Sequence, residues 1–530
     1  MIPLSKLRTA AREALAYVRA QADVAQAEVF ASANTNLTVR INYTSHIPSN
    51  GVEEPKSVES FGLGLRVAFH PSRGSSRSNS SNKVTTGYGS EPTDLSLDGV
   101  RRALDKARTG AVLDTEFVSL PKPQNKRQQT GESVHDPAIM QLKNPGLLKA
   151  GWRMMDQGLQ VFSTSEDLLN LAGSPQRLPD LGLILGGDLV LLQARMAIAS
   201  THMPRVQTDE STLAMFFATA MVEGQNSKGS GWSVSNRLAD FDGQSAAEAA
   251  RNAINSMGGQ RVPSGNYRVI LGPQALAEIL EWVLLPGLQL DMFHAEASPF
   301  MGKLGQQIAS TQLNIYDDGA ASGLAGSKAI TDEGLPTGRT DLIKAGVLSG
   351  LMSDYYGYQR ILHDPKGQAK LGADPSKSIQ AILPRNGFRP GNGGGRDFNS
   401  PPSTTPTNLV VEGTTRSSQR DLLRMVGDGI YIGRIWYTYP VNGITAGDFS
   451  GTLIGDSYII KNGRLAAPVQ PNTLRMNDNV LRVINNILGI GSDPRGTVRW
   501  SSDQITWAPE VAVDDFRLDE ISESLETVYQ

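Results

Sequence analysis

Cysteine is absent from this 530-residue chain. No disulfide framework can form, and no thiolate can serve as nucleophile or metal ligand. Histidine is scarce: His46, His70, His135, His202, His294 and His363 are the six, and no two lie within five residues of each other. The helix-borne His-Glu-x-x-His spacing of a zinc peptidase is therefore missing. An excess of one charge is missing too. Fifty basic residues face 53 acidic ones, for a net charge of −3. That balance does not build the basic field a phosphate backbone requires, so nucleic acid is not an expected partner. No window approaches 18 consecutive apolar residues, and no membrane-spanning helix is expected. The N-terminal run "MIPLSKLRTAAREALAYVRAQA" lacks a basic segment followed by a continuous apolar stretch. It does not read as a signal peptide, and the expected compartment is the cytoplasm.

What is present suits a globular protein of two or more domains, with 39% hydrophobic and 19% charged residues. Leu4, Leu7, Ala11, Leu15 and Val18 recur at helical spacing. Strand-like runs follow at "AEVFASANTNLTVRI" and "FGLGLRVAF", then a loose Gly/Ser/Asn stretch at 71–92, then the amphipathic run "SLDGVRRALDKART". Residues 116–180 read as an irregular insertion with one or two short helices. Strands return at "LGLILGGDLVLLQARMAIAS" and "STLAMFFATAMVEG", and "SAAEAARNAINSMGG" reads as a glycine-terminated helix. After "GNYRVILGP" a helix opens at Pro273, its stripe Leu276, Ile279, Leu280, Val283 and Leu284, with Pro286 stopping its continuation. The remainder is mostly β, with Asn462-Gly463 a hairpin signal. Residues 385–407 are so rich in Gly, Pro, Asn and Ser that a mobile loop is expected. The expected class is α+β: an N-terminal α/β domain over 1–260 and a β-rich domain with mixed sheets and few helices over 261–530.

Candidate chemistry is sparse. "DMFHAEA" sets Asp291 and His294 three apart on one helix face, with Glu296 beyond, which suits either a partial metal site or a solvated helix end. Asp317 and Asp318 end a strand before glycine, a place for cation binding, acid–base work or a plain turn. Asp332, Glu333 and Arg339 surround Gly334 and Pro336, in a substrate-ordering loop or a turn with a local ion pair. Ser80 and Lys83 form a Ser-x-x-Lys of chance spacing, and no Gly-x-Ser-x-Gly elbow occurs.

Five runs in order, "VPSGNYRVILGP" (262–273), "SPFMGKLGQQIASTQLNIYDDG" (298–319), "TDEGLPTGRTDLIKAGVLSGLMSDYY" (331–356), "PTNLVVEG" (406–413) and "GDFSGTLIGDSYIIKNGRL" (447–465), resemble the TldD/PmbA family. Its members were once described as modulators of DNA gyrase, and its active branch resembles zinc peptidases. That branch carries His-Glu, three residues, then His on a helix, and a distant cysteine. Set side by side on "GKLG", Glu281 stands for the first His, Trp282 for the catalytic Glu, Pro286 for the second His, and Gly455–Ser457 for the cysteine. The resemblance therefore implies the PmbA (TldE-like) branch: no catalytic residue and no metal on this chain, and zinc in a TldD-type catalytic subunit with which it forms a heterodimer acting on unfolded or leader peptides. A homodimer is the other assembly left open. Lys303, Asp317, Asp318, Asp332, Glu333 and Arg339 are the substrate or interface candidates. An autonomous metal-dependent peptidase built on Asp291, His294 and Glu296, and a regulatory binding protein, are the alternatives.

Overall fold

The computed structural model describes residues 1–47, 51–70, 84–123, 134–241, 244–498 and 502–522. The first half is built on an eight-stranded sheet. Its long strands Lys56–Phe69, Val24–Thr44, Leu183–Ser200 and Gln207–Val222 lie side by side in that order, and Ser227–Ser235 forms one end. Every pairing in it is antiparallel. Helices Leu4–Arg19 and Leu97–Thr109 bury Leu7, Ala11, Val18, Val100 and Leu104 with Val29, Leu63, Leu65 and Val67 of the strands.

The segment read as an irregular insertion contains a 21-residue helix, Asn144–Thr164, followed by the helix Glu166–Ala172. Glycines hide it from a propensity reading. A Cβ on Gly151 would sit 2.9 Å from Val39, and one on Gly158 2.5 Å from Leu185, so these residues let the helix approach the sheet. The helix Gln244–Asn255 sits closer still. A Cβ on Gly231 would lie 1.9 Å from the Ser245 carbonyl oxygen, and one on Gly229 2.1 Å from the Ala253 nitrogen.

Beyond residue 260 lie two larger sheets and a short two-stranded one. A nine-stranded sheet carries Gly265–Leu271 and Val511–Glu520 in its interior and Arg434–Pro440 at one end. A six-stranded sheet runs from Val347–Leu348 through Leu313–Asp318 and Asn408–Gly413 to Arg495–Val498. One contiguous apolar cluster, from Val262 to Leu518, underlies both. The class is thus α+β, with parallel and antiparallel pairs mixed in the second half. The Asn462-Gly463 hairpin is formed, both residues at positive φ (50° and 69°), between Tyr458–Lys461 and Arg464–Pro468. Among the described residues no helix is long and apolar enough to cross a membrane.

The stretch 385–407 packs, against the expectation of a mobile loop. Phe388 and Phe398 are buried, and Arg389 and Arg396 are 1% exposed. Its glycines serve tight turns at positive φ (Gly393, Gly394, Gly395), and its two arginines find buried partners, which composition alone does not reveal.

Replacing Gly231 by Ala drives a methyl into the backbone of helix Gln244–Asn255. The expected loss is about 1–3 kcal/mol, read as a lowered chemical-denaturation midpoint.

Candidate functional site

The helix that opens at Pro273 is α-helical only to Ile279. Residues Leu280–Leu284 form a π-helical turn, in which the Leu285 amide donates to the Leu280 carbonyl, and Leu285–Leu288 continue as a 3-10 turn. Pro286 supplies the reason: it has no N–H, and in an α-helix its ring would meet the carbonyl four residues back. Glu281 is buried and accepts a 2.7 Å hydrogen bond from the Thr506 hydroxyl. Trp282 is 37% exposed. The stretch Gly455–Ser457 holds Asp456 at φ 49°, buried against Ser230, whose amide and hydroxyl both donate to its carboxylate. Burial pushes the Asp456 pKa up to about 6. These residues do not fit a zinc ion. Glu281 is committed to a threonine, and neither histidine nor cysteine stands at the other positions. Among the described residues no group of three His, Cys, Asp or Glu side chains is placed to hold a metal.

The triad Asp291, His294 and Glu296 is not gathered into one site. Helix Leu290–His294 buries His294, whose Nε2 contacts the Gly357 carbonyl at 3.0 Å. Asp291 is exposed. Glu296 turns away at φ 54°, toward Lys370 and Lys366 at 3.9 and 4.0 Å. Lys303 is exposed. Arg339 stacks on the Tyr316 ring at 3.5 Å and pairs with Asp341. Ser80 and Lys83 lie outside the described residues.

The acidic candidates converge on the interior. Asp317 is 1% exposed and accepts hydrogen bonds from Asn386 Nδ2 (2.7 Å) and from the amide and hydroxyl of Thr407 (2.7 and 3.0 Å). Burial pushes its pKa up to about 6. Asp318 caps Ala320 and receives Asn408 on its carbonyl. Asp332 and Glu333 are fully buried, and they serve more than a turn with a local ion pair. Glu28 and Arg66 are direct cross-strand partners in the N-terminal sheet, 2.8 Å apart. Arg389 joins Glu28 at 2.7 Å, with its guanidinium 4.6 Å from the centre of the Phe30 ring. Arg396 bridges Asp209 of the N-terminal sheet and Asp332, the latter at 3.2 Å. Asn34 clamps the Arg396 backbone at both its N–H and its C=O. Glu333 accepts from the Tyr355 amide, and its second oxygen, without a hydrogen-bond partner among the described residues, lies 3.6 Å from Arg66. Burial first, and the neighbouring Asp354 carboxylate second, push the Glu333 pKa upward. Asp354 is raised likewise by burial and by Asp291.

Sequence reading missed Glu28, Arg66, Asp209, Arg389 and Arg396. The available signal was a lone charge inside an apolar strand, as in "AEVFA" and "LGLRVAF".

Two outcomes follow. Replacing Arg389 by Met removes one of the two buried cations that hold Glu28 and leaves Arg66 as its one remaining ion-pair partner among the described residues, with an expected loss of about 3–5 kcal/mol in denaturant unfolding. For Glu333, whose pKa is raised on folding, the contribution to stability is full below its ordinary value of 4.5 and is lost as pH rises through the raised value. Glu333→Gln should therefore gain thermal stability relative to the parent as pH rises from 4.5 to the raised value, and the difference should level off above it. A difference in melting temperature independent of pH would contradict this.

Residues 264–520 match the PmbA/TldA metallopeptidase C-terminal domain. A metalloprotease TldD homolog of Buchnera aphidicola is 26% identical over 416 residues, covering 75% of each chain. One from Haemophilus influenzae is 30% identical over 229 residues, 43% of this chain and 42% of its own length. In fold, TldE of Thermococcus kodakarensis superposes with a TM-score of 0.73 at 14% identity, over 97% of this chain and 100% of its own. A Thermotoga maritima protein named for modulation of a DNA gyrase gives 0.71 at 17%, over 96% and 99%. The turn and its sheets are thus set in a known framework: residues 264–520 form a C-terminal domain of the PmbA/TldA metallopeptidase family, within a chain that shares its overall fold with TldE.

Proposed function

We propose that this chain is a TldE-like subunit without a metal site of its own, which assembles with a TldD-type zinc metallopeptidase and takes part in cleaving peptides. The observation that carries the reading is the turn at 280–286. It keeps a helical frame, yet places a threonine-bound carboxylate, an indole and a proline where metal chemistry needs imidazoles and a general base. In this reading zinc belongs to the partner, which supplies the activated water.

The surroundings of the turn support an assembly role. Strand Arg434–Pro440 packs beside it and ends its sheet, so one side of its main chain has no strand partner among the described residues. Trp436, Tyr437, Tyr439 and Val441 are exposed there, 44%, 74%, 52% and 53% respectively. Tyr437 sits at φ 55° in a bulge where the register to strand Asp448–Gly455 slips. Arg434 lies 4.4 Å from the centre of the Phe217 ring and 5.9 Å from that of Trp436, joining the aromatic face to the N-terminal sheet. A face of this composition suits a protein partner, and an open strand edge suits an extended peptide, held by main-chain groups in any sequence.

The test combines this chain with a family member that carries the His-Glu-x-x-x-His helix. Expected are co-purification, peptidase activity that requires both chains, and zinc at one equivalent in the complex and substoichiometric in this chain alone. Tightly held zinc with hydrolysis by this chain alone, or full activity of the partner alone, overturns the proposal.

A further inference from the structure

A cleft of about 880 Å³ opens where the end strands of two sheets meet, Ser227–Ser235 of the eight-stranded sheet and Arg495–Val498 of the six-stranded one. None of Glu281, Trp282, Pro286 or Asp456 lines it. Its walls are fixed by paired groups. The Trp232 indole N–H donates to the Gly496 carbonyl at 3.1 Å. The Arg495 guanidinium lies 3.8 Å from the centre of the Trp232 ring and grips both oxygens of Glu248, at 2.6 and 2.7 Å. Gly496 is required at this wall, since a Cβ there would lie 2.6 Å from Val234 and 3.0 Å from the Trp507 ring. The Trp507 indole N–H is spent on Asn408, so its ring offers the cleft an apolar surface.

Against this fixed frame several groups have no ion pair or no partner; Asp493, which accepts from the Ser492 hydroxyl, is one carboxylate of the lining, and three others bear on a ligand. Arg251, exposed on helix Gln244–Asn255, has no ion-pair partner among the described residues. The Glu510 carboxylate is oriented by the Gln419 amide (2.7 Å) and the Tyr431 hydroxyl (2.9 Å), both neutral, and no cation pairs with it among the described residues. The Ser233 hydroxyl oxygen is buried with no hydrogen-bond partner among the described residues. A free guanidinium and an oriented carboxylate in one cleft, with indole surface in the same cavity, match a molecule carrying both charges and an apolar body. Guanidinium recognises carboxylate through two parallel hydrogen bonds, and Glu510 is an acceptor for ammonium. The volume lies within the roughly 300–1,000 Å³ of small-ligand sites and exceeds what one amino acid fills.

We propose that this cleft binds short peptides with free termini, the C-terminal carboxylate on Arg251, the N-terminal ammonium at Glu510, and an apolar side chain against Trp507. Such peptides are the chemical class that any peptidase releases, but the site needs no catalytic partner and stands independently of the subunit proposal.

The test is calorimetric titration of the full chain, without any partner, with the tripeptide Ala-Leu-Phe, its C-terminal amide and its N-acetyl form. Saturable binding of the free peptide is expected, weakened about tenfold or more by either block. Arg251→Ala, at an exposed position that leaves the fold intact, should weaken the free peptide to the level of the amide and abolish the discrimination between them. Glu510→Gln should do the same for the acetyl form. Absence of saturable binding at millimolar peptide, or an Arg251→Ala protein that still distinguishes free from amidated peptide, overturns the assignment. Because the readout is binding by the lone chain, its failure is distinguishable from a failure to assemble with a metallopeptidase.

Discussion

The buried pairing of Glu28 with Arg66 and Arg389 is the constraint on which the junction of this molecule depends. Three charges from three separate stretches of chain meet at a point with no solvent exposure for Glu28 and Arg389. None of them is tolerable there alone, because an isolated buried charge is far more costly than the pair. Arg389 can therefore be buried only if the N-terminal sheet presents Glu28, and the turn at 331–335 can bury Asp332 and Glu333 only if Arg389, Arg396 and Arg66 arrive. Net stabilisation from such a network is small or negative against an apolar core of the same shape. What it enforces is registry: one way of seating the 385–400 segment across the N-terminal strands.

That network also recasts the acidic residues that seemed the best functional candidates. Asp317, Asp332 and Glu333 are spent on holding Asn386, Thr407, Arg389, Arg396 and the Tyr355 amide. Carboxylates with raised pKa values are expected at active sites, but structural charge networks produce the same signature. Here each raised carboxylate is enclosed by the fold, whereas in the cleft Arg251 and Glu510 have no ion-pair partner among the described residues.

Much of the fold was legible in the sequence. Periodicity located the first helices and the long strands, and Asn462-Gly463 announced its hairpin because both positions require positive φ. Two stretches were misread for a shared reason. In Asn144–Thr164 and in 385–407, glycine and other poor formers of regular structure stand where the backbone must approach something closely: Gly158 under Leu185, Gly395 against Asn34, Gly387 against Glu333. Local propensity counts such residues as breakers, while the contacts that justify them lie outside the local window, from tens of positions to more than three hundred away. The residue types at Glu281, Trp282 and Pro286 are read directly from the sequence. The replacement of the expected continuous helix by a π turn was not legible there, because Pro286 dictates it only through the geometry of the turn before it.

That turn has a geometric consequence. With about 3.6 residues per turn, positions five apart on an α-helix point roughly 140° away from each other. A turn closed between the Leu280 carbonyl and the Leu285 amide instead brings such positions toward one side. Positions 281 and 286 are five apart, which is the separation of the two imidazoles in the resembling motif. The main chain here is thus bent so that two positions five apart lie nearer one side than an α-helix would set them, and they carry a carboxylate tied to Thr506 and a pyrrolidine ring.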